Sequence, residues 1–134
     1  MTPISQNQSV LTLFSVLALL SISASYEKPS QMAKLMKKML EYIKDEKVRI
    51  EKAEPQLLFP KSFKKVSTAK VTKTKDIPAA HQQYSEKFLH DLNVYYTSSN
   101  PEERKSNFNL LVKSCISCHE YECPGPIVVI KKYL

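Results

Sequence analysis

The segment "NPEERKSNFNLLVKSCISCHEYECPGP", residues 100–126, constrains the fold of this chain more than any other stretch. Asn100 suits an N-cap, Pro101 a first helical position and Glu103 a capping-box position, which together predict a helix start. Phe108, Leu111, Val112, Cys115, Cys118 and His119 recur along one face. Pro124-Gly125-Pro126 then ends the helix, because proline has no N–H to continue the hydrogen-bond ladder. A long helix with a single apolar stripe needs partners to cover that stripe.

Two other segments supply them. From Ser30, a plausible N-cap, Met32, Leu35, Met36, Met39, Leu40 and Ile43 recur every three or four residues, predicting an amphipathic helix that ends near Ala53, before Pro55. A further helix is expected from Pro78 to near Ser98, with Ile77, His81, Tyr84, Phe88, Leu92 and Tyr95 on one face. Between them, residues 54–78 read as irregular, with three prolines, the apolar run Leu57-Leu58-Phe59 and a helical turn around Ser62–Val66. The tail from Ile127 to Leu134 is apolar and basic, suited to pack back on the helices. With 134 residues and a single glycine, the expectation is one small, mostly helical domain without internal repeats.

The first 25 residues carry no Lys, Arg, Asp or Glu, and Val10–Ile22 is an apolar run followed by Ser23, Ala24 and Ser25. The pattern reads as a secretory signal cleaved near Ser25, leaving residues 26–134 as the domain, although the usual positive n-region is missing. The alternative is an uncleaved N-terminal membrane anchor, but the run is short of the ~20 residues a span needs. The formal net charge of +7 then belongs wholly to the mature part, and Arg49 and Arg104 are its only arginines. A lysine surface suits docking on acidic proteins or membranes better than reading nucleic acid, which favours the planar arginine fork. Six lysines between Lys61 and Lys75 read either as a solvated, mobile loop or as such a docking surface.

All three cysteines fall within nine residues, beside His119. Cys115-Ile116-Ser117-Cys118-His119 is the c-type haem attachment pattern. Two thiols about one helical turn apart can add to the two vinyl groups of a porphyrin, and the adjacent imidazole can reach the iron. A Cys₃His zinc site from Cys115, Cys118, His119 and Cys123 is disfavoured, because neighbouring side chains on a helix diverge by about 100°. A redox dithiol belongs at a helix N-terminus, not at the C-terminal end, and a Cys115–Cys118 disulfide would strain the helix. Cys123 is expected to fill a small buried apolar position; an intermolecular disulfide or a regulatory thiol is the alternative. His81 is expected to be a satisfied core histidine and His90 to be exposed. Met32, Met36 and Met39 read as core, with soft-metal ligation as the other use of a thioether.

A Cys-x-x-Cys-His motif late in an exported helical domain resembles class II c-type cytochromes, the cytochrome c prime family. The likeness spans most of residues 30–126, and its specific parts are "CISCH" and "LMKKM"; "FPKSF" and "CPGPI" look like a subgroup of these small cytochromes. The resemblance implies an all-α fold, an antiparallel four-helix bundle with covalent haem near the C-terminal helix. The chain departs from it where a second long helix is expected, so the bundle should be irregular around Ser62–Val66. Leu35-Met36-Lys37 matches the segment that supplies the distal methionine in low-spin members, which implies Met36 opposite His119, with Cys115 and Cys118 as thioether anchors.

Six-coordinate Met/His iron implies an electron carrier with one haem c and no catalytic residues, since no coordination position is left for substrate. Its partners would be redox proteins with acidic docking surfaces, with no nucleic acid, and its compartment the periplasm. Two long amphipathic helices are also compatible with a homodimer. If no methionine reaches the iron, the protein would instead be a five-coordinate haem protein that binds nitric oxide or carbon monoxide. From a different class, it would be a haem-free interaction module with structural cysteines.

Overall fold

The computed structural model of the chain describes residues 28–71 and 79–134. The expected export signal or anchor, Ile77, the helix start at Pro78, and Lys73 and Lys75 lie outside them. Every regular element among the described residues is helical, so the fold is all-α. The elements are α1 (Gln31–Glu51), a 3₁₀ helix (Lys61–Ser67), α2 (Ala80–Tyr96), α3 (Pro101–Glu122), α4 (Ile127–Ile130) and a 3₁₀ turn (Lys131–Tyr133). Among the described residues no helix is long and apolar enough to cross a membrane.

The helix ends follow local chemistry. Ser30 Oγ accepts the N–H of Ala33 at 3.1 Å at the head of α1. At the head of α3, Asn100 Oδ1 accepts the N–H of Glu103 at 2.9 Å, and Glu103 Oε2 accepts that of Ser99 at 2.8 Å. The first turn of α3 also carries Glu102 and Glu103, whose charge suits the helix dipole. α1 closes in a Schellman motif, with Ala53 N–H bonded to the carbonyl of Ile50 and Glu54 N–H to that of Arg49. That motif holds Ala53 at φ 54°, a left-handed conformation that disfavours any Cβ.

α2 and α3 make the most extensive helix contact and are joined by a turn of four residues, 97–100. Tyr95 meets Phe108 edge-on and Tyr84 packs tilted against Tyr121, so the two helices run antiparallel. α1 also lies antiparallel to α3, with Glu46 opposite Arg104 at one end. Leu35, Met39, Ile43, Phe88, Leu92, Phe108, Leu111 and Val112 form the shared core. The 3₁₀ helix enters it through Phe63 and Val66, and Phe63 meets Tyr42 edge-on at 5.4 Å. The tail packs back through the buried Ile130, as the sequence suggested. Lys61, Lys64 and Lys65 therefore sit exposed on an anchored helical turn, which corrects the mobile-loop reading for this part of the lysine run.

Among the described residues two carboxylates are buried, Asp91 and, more completely, Glu46. Glu46 has no exposed surface, yet its carboxylate is fully engaged. Oε1 accepts the N–H of Leu57 at 2.6 Å, and Oε2 accepts from the Tyr95 hydroxyl and from Arg104 Nη2, the latter at 3.0 Å. Arg104 donates further to the Tyr95 hydroxyl at 3.2 Å and to the carbonyl of Glu54. Burial, followed by the hydrogen bond to Glu46, pushes the Tyr95 hydroxyl up to about 12.

These features set the expected effects of three substitutions. Ala53→Gly removes the left-handed strain and should raise the unfolding free energy by about 1 kcal/mol in a denaturant titration. Arg104→Met leaves the Glu46 carboxylate buried without its cation and should cost about 3–5 kcal/mol. Tyr95→Phe removes one neutral donor and should cost less, about 1–3 kcal/mol.

Candidate functional site

At the end of the helices away from Glu46, an apolar cleft of about 60 Å³ opens along the seam between α1 and α2, over α3. Its lining is set by helical period. Met36, Met39, Leu40 and Ile43 come from α1; Tyr84, Ser85 and Phe88 from α2; Ser114, Cys115, Cys118 and His119 from α3. Val66 and Ile130 complete it. α3 packs against both other long helices, whereas α1 and α2 barely meet, and this mismatch leaves the seam.

The structure brings together four residues singled out by sequence: Met36 from one helix, and Cys115, Cys118 and His119 from another. Met36, Cys115 and Cys118 are half-buried and His119 is buried. Met39 also lines the cleft and is buried, whereas Met32 packs against the core outside it.

His119 is oriented by a residue beyond its own helix. Its Nδ1 lies 3.1 Å from the carbonyl oxygen of Cys123, and a carbonyl can only accept, so Nδ1 carries the proton. The lone pair is therefore on Nε2, the nitrogen suited to ligate a metal.

Cys123 itself departs from expectation. It is exposed, because α3 stops at Glu122 and Cys123 turns extended, at φ −162° and ψ 87°, instead of continuing the buried face. Its sulfur still approaches Nδ1 of His119 at 3.3 Å.

All three cysteines are free thiols, and the described residues hold no cluster of three His, Cys, Asp or Glu side chains suited to a metal ion. Burial, then the neighbouring Cys118, pushes the Cys115 thiol up to about 12; burial, then the Glu122 carboxylate, pushes Cys118 up to about 11. A reactive redox dithiol needs the opposite shift.

His81 is a satisfied core histidine, with Nε2 3.1 Å from the Val66 carbonyl oxygen and Nδ1 3.7 Å from Glu122 Oε1. His90 is exposed and pairs with Asp91. Sequence reading missed Ser85 and Ser114 in the lining. Ser85 follows His81 by four residues and precedes Phe88 by three, so helical period alone could have placed it on the stripe.

Comparison of the chain with protein-family models, with curated proteins and with solved structures returns no match. The chemistry of the site is therefore argued from its own residues.

Alkylation of the chain at pH 8 followed by mass spectrometry should label Cys123 first and Cys115 last. Cys115 and Cys118 hold their protons more tightly folded than unfolded, where the reference is 9.0. The stability this confers should be present below about pH 9 and be lost as the pH rises toward about 12, as read by thermal melting.

Proposed function

We propose that the protein is an exported monohaem c-type cytochrome of the cytochrome c prime kind, acting as an electron carrier. Cys115 and Cys118 would form the thioethers, and His119 Nε2 and Met36 would ligate the iron. The four-helix-bundle architecture, with the 3₁₀ helix Lys61–Ser67 in the place of a long second helix, belongs to the same proposal, as does a periplasmic location.

The observation that carries this reading is convergence: a methionine and a Cys-x-x-Cys-His motif, chosen from separate parts of the sequence, line one apolar cleft. The donor set suits haem, with soft sulfurs, a neutral imidazole of fixed tautomer and an apolar wall. The cleft is narrower than a porphyrin requires, since about 60 Å³ falls well below the ~300–1,000 Å³ of sites that enclose drug-sized ligands. Admitting the group therefore requires the α1 and α2 walls to part along the seam where they make least contact.

A covalently held haem supplies a one-electron couple. The chain's own residues supply its setting. The Cys123 carbonyl keeps the imidazole proton on Nδ1, Leu40, Ile43 and Phe88 give the cleft an apolar wall, and Lys61, Lys64, Lys65 and Lys70 would present positive charge to an acidic partner.

The decisive experiment is expression with a cytochrome maturation system. Haem stain should persist on the denatured chain and vanish in the Cys115→Ala/Cys118→Ala variant; a wild-type chain without stain sinks the reading. Met36→Ala should convert the low-spin spectrum to high-spin and admit carbon monoxide, while Met39→Ala should leave it low-spin. A wild-type spectrum already high-spin would point to gas binding instead. Electron exchange with an acidic partner should slow as salt rises.

A further inference from the structure

We propose that Ser85 is the hydrogen-bond donor of the cleft, its hydroxyl donating to an acceptor atom of the haem group; this rests on the haem reading above. Ser85 lines the cleft, is 1% exposed, and its Oγ is buried with no hydrogen-bond partner among the described residues. A buried hydroxyl left unpaired destabilises a fold, so its retention calls for a reason.

The other helix serines show what Ser85 declines to do. A serine inside a helix commonly turns its hydroxyl back to a carbonyl three or four residues earlier. Ser114 does so to Leu111 at 2.8 Å and Ser117 to Lys113 at 3.1 Å. Ser85 makes no such bond. Ser114 is thereby already paired within the lining, and His119 Nδ1 is committed to Cys123. The Ser85 hydroxyl is the buried donor left to meet a polar atom of whatever the cleft holds.

A donor pointed at the haem group places the positive end of the O–H dipole toward it. That orientation favours the more electron-rich, reduced form and raises the midpoint potential, as hydrogen bonds around a metal group generally tune it.

The test uses the full chain with haem attached, comparing wild type with Ser85→Ala and Ser85→Thr. Ser85→Ala should lower the equilibrium constant for one-electron reduction by about threefold to tenfold, up to ~59 mV in midpoint potential. Ser85→Thr keeps the hydroxyl and should return the potential toward wild type. In the haem-free chain the sign of the structural effect should reverse: Ser85→Ala should melt at a higher temperature, because an unpaired buried hydroxyl has been removed. Haem retained on the denatured wild-type chain with an unmoved Ser85→Ala potential overturns this inference alone. A lower melting temperature for haem-free Ser85→Ala also overturns it, since the hydroxyl would then be serving the protein itself. Absence of haem from the denatured wild-type chain overturns the haem reading, and this inference with it.

Discussion

A carboxylate sealed from water is stable only when its lone pairs are met by donors and its charge by a cation. Glu46 satisfies both conditions by drawing on three other parts of the chain: Leu57 after α1, Tyr95 at the end of α2 and Arg104 near the start of α3. The three long helices are thereby pinned at one end in a single axial register. A slip of one helical turn, about 5.4 Å, would strand the carboxylate. The same register carries Met36–Ile43 to the level of Cys115–His119 at the other end, so the polar cluster, which shares no residue with the cleft, decides which side chains meet there.

Much of the fold was legible because its signals are local. Ser30 and Asn100 cap helices where the sequence said, and Pro124 follows the end of α3. The turn read from Ser62–Val66 is the 3₁₀ helix Lys61–Ser67. Burial was harder to read, since each helix meets more than one neighbour. Tyr42 and Glu46 on α1, Ser85 and Asp91 on α2, and Ser114 and Ile116 on α3 are all buried beyond the single stripe that periodicity suggested. Glu46 gave no hydropathy signal, because its burial depends on Arg104, a partner 58 residues away.

The site was legible as chemistry before it was legible as a place. Spacing alone grouped Cys115, Cys118 and His119, but the join to Met36 depends on the antiparallel lie of α1 on α3, which no local pattern encodes. Cys123 shows the converse limit. Four residues after His119 it continues a helical face on paper, yet the two prolines that follow end the helix and turn it to solvent.

That early stop has a mechanical consequence. The carbonyl aligning the His119 ring belongs to a residue already outside the helix, at the start of a proline-bounded corner that leads into a tail whose Ile130 forms part of the cleft wall. The tail's last carbonyl, on Leu134, in turn accepts a long contact of 3.5 Å from Lys47 of α1. Corner, wall and tether thus follow one another along residues 123–134, so the segment that aligns the imidazole also lines the cleft and reaches back to α1.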